Sequence, residues 1–127
     1  GVTRDHGAAM RWFRMAADQG YARAQVNVGM MYEAGEGVAR DYAEAVRWHR
    51  MAAEQGFALA QVRLGLLYGT GKGVAKDYVQ AHMWISLAAV QGREEAVKFV
   101  ATLASIMRPA EISKARRLAR EWREAHR

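Results

Sequence analysis

The sequence predicts an all-α protein, an α/α solenoid of 36-residue helix-pair repeats closed by a C-terminal capping helix. Three observations predict it. Trp12, Trp48 and Trp84 stand 36 residues apart, and the same step separates Asp5, Asp41 and Asp77, as well as the Gly-Val pairs at Gly1, Gly37 and Gly73. A fixed period without insertions marks a stacked array. Within each period two stretches of helical periodicity are separated by glycines. The composition suits helices too, with 51% hydrophobic residues and a single proline in 127 residues.

Taken in order, residues 1–20 read as a partial repeat. The segment from Asp5 to Gln19 is a second-type helix without a first-type helix before it, crowded with Met10, Trp12, Phe13 and Met15. Residues 21–56 form one full repeat. Its first-type helix runs from Ala22 to Tyr32 and is ended by Gly35, because glycine accepts the left-handed conformation that follows many helices. Gly37 turns the chain again and Val38 plugs apolar surface beneath the loop. Asp41 starts the second-type helix as an N-cap, with Glu44 three residues on in capping-box register. Ala45, Trp48, Ala52 and Ala53 supply its inward face, and Gly56 closes it. Residues 57–92 repeat the plan, with helices from Ala58 to Tyr68 and from Asp77 to Gln91, and with Gln80 in the place of Glu44. The first copy has Ala8 there and keeps only half of the box.

Residues 93–107 form a degenerate half repeat from Glu94 to Met107. Ala101 and Ala104 fill its glycine and tyrosine columns, and no Gly-x-Gly-Val loop follows. Arg108-Pro109 then breaks the helix, since proline suits the first turn of a new one. Residues 108–127 are the capping helix. Ile112, Ala115, Leu118, Ala119 and Trp122 make its apolar stripe, while Arg116, Arg117, Arg120 and Arg123 lie mostly away from it. A final helix with one polar face lets an array end without exposing its core.

The recurring pattern A-x-A-Q-x-x-x-G-x-x-Y-x-x-G-x-G-V-x-x-D-Y-x-x-A-x-x-W-x-x-x-A-A-x-Q-G resembles the Sel-one-like repeat (SLR), a relative of the tetratricopeptide repeat. The resemblance covers nearly the whole chain as a single SLR domain. It implies a right-handed superhelix of antiparallel helix pairs and an adaptor role in protein complexes. It also implies that the first-type helices line the concave surface. There the columns vary while the frame stays fixed: Arg23, Leu59 and Glu95; Asn27, Arg63 and Phe99; Met30, Leu66 and Thr102. Asn27 matches a position often Asn in SLR proteins; Arg63 and Phe99 depart from it. Mixed Arg, Asn, Met and Leu is the composition of a protein-binding groove. The expected partner-binding residues are therefore Arg23, Asn27, Met30, Leu59, Arg63 and Leu66, facing a peptide or protein of unspecified identity. Solvated helix surface is the alternative for any one of them.

Composition narrows the other functions. No cysteine is present, which excludes disulfides and thiol catalysis but leaves the compartment open. No stretch approaches the ~20 apolar residues of a membrane span. The first residue is not Met and the chain opens mid-repeat, so a longer natural protein with at least one helix before Gly1 is expected. Of the net charge of +6, +4 falls between Arg108 and Arg127. That excess supports an alternative function, binding of nucleic acid or an acidic surface, although no aromatic is interleaved for stacking and no specific nucleic acid is expected.

No residue set points to catalysis or to a cofactor. Gly69-Thr-Gly-Lys-Gly73 imitates a phosphate loop, but Gly73 stands where Ser or Thr must be and no strand precedes it. His6, His49, His82 and His126 contain no i, i+4 pair, so surface or half-buried histidines are expected rather than metal ligands. Ser86, Ser105 and Ser113 lie in no hydrolase motif. Some cysteine-rich SLR relatives have been described as penicillin-binding, which leaves an SLR-type hydrolase as a second alternative. The tryptophans and tyrosines are expected in the core by their periodicity. At the open N-terminal end, Val2, Met10 and Phe13 are expected to face water, and weak self-association is expected through residues 1–13.

Overall fold

The computed structural model describes residues 5–127. Among them are seven helices and no strand: α1 (His6–Asp18), α2 (Ala22–Ala34), α3 (Tyr42–Glu54), α4 (Ala58–Thr70), α5 (Tyr78–Val90), α6 (Glu94–Ile106) and α7 (Pro109–Ala125). Successive helices from α1 to α6 pack on one another, and α7 packs on α5. The architecture is the right-handed α/α solenoid with a capping helix.

Each second-type helix starts on an aspartate. Asp5, Asp41 and Asp77 accept hydrogen bonds from Ala8 N, Glu44 N and Gln80 N at 3.0, 3.1 and 3.0 Å. The reciprocal half of the expected box is absent. The Asp41 and Asp77 backbone N–H groups already donate to Tyr32 O and Tyr68 O, each at 3.0 Å, and Glu44 turns to Arg47 at 2.9 Å. The glutamate half of a box starts α7 instead, without a side-chain cap from Arg108: Arg108 N donates to Glu111 Oε1 at 2.9 Å. That bond holds the Glu111 carboxyl below its usual range.

Gly35 ends α2 with φ 72°, and Gly71 ends α4 with φ 71°. The next glycine makes a close approach. A Cβ on Gly73 would collide with the Tyr42–Ala43 backbone at the start of α3, while Lys72 Nζ lies 5.3 Å from the centre of the Tyr42 ring. The phosphate-loop lookalike is thus a packing device that docks each repeat on the one before.

Polar side chains stitch the repeats in register. Gln55 Nε2 donates to Gly20 O and Gln25 Oε1, both at 2.9 Å; 36 residues later Gln91 Nε2 donates to Gly56 O at 2.9 Å and Gln61 Oε1 at 3.0 Å. Arg14 and Arg50 reach the Tyr32 and Tyr68 hydroxyls at 3.3 and 2.6 Å. Gln25 and Gln61 are buried, so these bonds remove the cost of leaving their amides unpaired.

Several expectations about burial are corrected. Trp48 and Trp84 are 3% and 2% exposed, but Trp12 is 71% exposed and Tyr21 64%. Met10 is buried and Phe13 half-buried, whereas Met15 faces water. The helical phase of α1 turns Met10 and Phe13 onto α2 and leaves Trp12 and Met15 on a side that no other helix covers among the described residues. Val2 lies outside the described residues. His49 and His82 are not surface or half-buried: they are 0% and 2% exposed. His49 Nε2 shares a 2.7 Å hydrogen bond with Glu33 Oε2, and its ring packs where a Cβ on Gly29 would sit 2.6 Å away.

Candidate partner-binding face

Arg23, Asn27 and Met30 follow one another at i, i+4 and i+7 on α2, and Leu59, Arg63 and Leu66 do so on α4. That spacing puts each trio on one helix stripe. Arg23 is exposed, and the other five are half-buried. Met30 and Leu59 rest against the main core, while Leu66 rests against the smaller cluster around Ile85. Their neighbours Val28, Leu64 and Gly65 are buried and fixed by packing. The stripe therefore has freedom to differ between repeats where its neighbours have none.

At Leu66, the last residue of this stripe, the surface opens into an apolar groove of about 210 Å³ between α4, α5 and α6. Leu66, Tyr78, Phe99, Thr102 and Ile106 border it, and Gly65 and Ile85 form part of its floor. Leu66, Phe99 and Thr102 are members of the columns that vary between repeats. Arg23, Asn27, Met30, Leu59 and Arg63 lie outside the groove. Its origin is physical: the start of α3 is covered by Lys72 and Gly73 of the next loop, but no such loop follows α6. Tyr78, the counterpart of Tyr42, is left lining open space.

No group of His, Asp and Glu that could hold a metal ion occurs among the described residues. No helix there is long and apolar enough to cross a membrane.

The Sel1 repeat pattern matches residues 1–21, 22–57 and 58–92. The chain belongs to the Sel1 repeat family. Sel1 repeat proteins are generally non-catalytic scaffolds for protein interaction. Among solved structures, the chain resembles c5321, a protective antigen of uropathogenic Escherichia coli strains with an SLR fold. The TM-score is 0.92 and the identity 35%, over 98% of this chain and 27% of that one. It also resembles a Sel1 repeat protein from Oxalobacter formigenes, with a TM-score of 0.74 and 40% identity over 79% of this chain and 41% of that one. Cysteine-rich protein B of Helicobacter pylori shares the fold at a TM-score of 0.68 and 24% identity, over 71% of this chain and 68% of that one. The chain thus spans 27% and 41% of the length of the first two. No curated protein matches it.

Sequence reasoning missed the groove and the glutamine stitches of this Sel1 array. Both left signals. The missing third Gly-x-Gly-Val loop marks the place where a cover is lost. Gln25 and Gln61 recur at the repeat period on the first-type helices, and Gln55 and Gln91 recur at the C-caps of the second-type helices.

Proposed function

We propose that this Sel1 array binds a peptide segment of another protein along the stripe of Arg23, Asn27, Met30, Leu59, Arg63 and Leu66, the concave surface of such superhelices. The observation that carries this reading is the coincidence of the apolar groove with the variable columns at Leu66, Phe99 and Thr102. An apolar side chain fills the groove. Arg23 and Arg63, which have no ion-pair or hydrogen-bond partner among the described residues, favour acidic residues beside that anchor. The rigid helices present these groups preorganised, which lowers the cost of association. A second surface, the exposed side of α1, takes a further copy of the chain weakly.

The test uses fluorescence anisotropy with labelled synthetic peptides carrying one Leu or Phe flanked by Asp and Glu. Arg63→Ala and Leu66→Ala are each expected to weaken binding by ~1 kcal/mol or more, as anchors do. Undiminished affinity in the double variant, with helicity retained, would move the site elsewhere.

A further inference from the structure

A second cleft lies between α5, α6 and α7, and it shares no residue with the groove at Leu66. It exists because three repeat columns change together. Arg14 and Arg50 reach across to Tyr32 and Tyr68, but the third pair is Ser86 and Ala104, two small residues. Asp18 and Glu54 are followed in their column by Val90. The last repeat therefore lacks the arginine–tyrosine bridge and the acid, and Ser86 and Val90 line the opened space.

What lines the opened space is one-sided. Arg116, Arg120 and Arg123 project from a single face of α7 at i, i+4 and i+7 spacing, and none has a carboxylate partner among the described residues. Nearby Arg117 and Arg108 do pair, with Glu121 at 3.8 Å and Glu111 at 3.5 Å. Opposite the arginines stand the apolar Val90 and Val100. His82 lines the cleft too and is 2% exposed. Its Nδ1 lies 3.2 Å from Ser86 Oγ, whereas its buried Nε2 has no hydrogen-bond partner.

We propose that this cleft binds a carboxylate carried on an apolar group. The arginines take the carboxylate, and a guanidinium matches its two oxygens with paired N–H donors. The valine wall takes the apolar stem. A volume of about 360 Å³ suits a ligand larger than a bare ion. A free aliphatic acid and the C-terminal residue of a peptide both offer this chemistry.

Isothermal titration calorimetry of the full chain tests the proposal with octanoate, N-acetylleucine, the amide of each, and inorganic phosphate. At least one acid is expected to bind, with its amide at least tenfold weaker. The ratio of octanoate to N-acetylleucine affinity tells a free acid from a chain end. Val90→Glu restores the acid of the other repeats at an exposed position, and Arg120→Gln removes a cation from an exposed one. Each is expected to cut affinity at least tenfold with helicity unchanged, and the His82 ring resonances are expected to move on titration of the native chain. Absence of binding by both acids would overturn the assignment, as would amides that bind equally or affinity indifferent to Val90→Glu. Phosphate binding as tightly as the acids would overturn the apolar-stem claim.

Discussion

Trp12 and Trp48 occupy the same column, yet one is 71% and the other 3% exposed. Trp48 has the Arg14 guanidinium 5.5 Å and the Arg47 guanidinium 4.8 Å from its ring, besides its burial in the main core. Trp48→Ala is therefore expected to cost ~3–5 kcal/mol in urea melts, as a large-to-small core change. Trp12→Ala is expected to stay within about 0.5 kcal/mol, as surface changes do. Equal losses would refute the contrast. The repeat made both tryptophans legible in sequence; their different burial was not, because periodicity says which residues correspond and nothing about which neighbours exist. His49 shows a related limit. Its column reads Phe13, His49, Ile85, so an inward position was visible, but its partner Glu33 lies just beyond the helix end expected at Tyr32. His82 yields a pH prediction. Burial, followed by the nearby Arg116 charge, lowers its pKa from the ordinary 6.5. Below about pH 6.5 the unfolded chain takes up a proton that the folded chain resists, so stability falls as pH falls. Denaturant melts from about pH 7 down to 5, above the carboxylate range, are expected to show this decline. His82→Met, which restores the side chain of Met10 in that column, is expected to flatten it. An unchanged slope in that variant would place the pH response elsewhere.

Helix boundaries are where sequence and structure agree most closely, because caps are local chemistry. Asp5, Asp41 and Asp77 each sit one residue before a helix, and Gly35 one residue after α2. A side chain at Gly35 must hold φ 72°, and its Cβ would meet the Arg40 backbone at 3.4 Å. Glu36 carries no positive φ. Gly35→Val is thus expected to cost at least ~1 kcal/mol more than Glu36→Val, the usual scale of strain for a β-branched residue forced into the left-handed region. Chemical denaturation of the two variants measures it, and equal midpoints would remove the turn assignment. The capping box was legible only in its aspartate half. The other half depends on Tyr32 O and Tyr68 O, acceptors from the preceding helix that occupy the Asp41 and Asp77 N–H groups. The α7 stripe was readable for the same local reason, and Ala115 and Ala119 are buried as an amphipathic helix requires. That α7 lies on α5 was not readable, because it follows from the lost Arg and Tyr at Ser86 and Ala104 and from Trp122, which meets Trp84 edge to face at 5.9 Å.

At the scale of the whole array, two helix surfaces lack, among the described residues, the neighbours that their counterparts have. α1 is a second-type helix without a first-type partner before it, and it exposes Trp12 and Met15, 71% and 57%. α6 is a first-type helix whose following helix packs on α5 instead, and it exposes Val97, 57%, together with Ala101. Within the chain, first-type and second-type helices pair as α2 with α3 and α4 with α5. The α6 of one copy and the α1 of another can re-create that pairing, so for the chain of residues 1–127 by itself a second copy joined head to tail is expected on the exposed side of α1. Such a contact joins two different surfaces and need not close, so it is expected to give a concentration-dependent series of oligomers rather than a fixed dimer. Light scattering over a concentration series measures the growth. Trp12→Glu blocks one end and Val97→Glu the other, and each alone is expected to shift the chain towards monomer. Mixed together, the two variants retain one compatible pair of ends and are expected to form a dimer that grows no further. A strict monomer at high concentration would sink the head-to-tail contact, and so would oligomers indifferent to both substitutions or a mixture that stays monomeric.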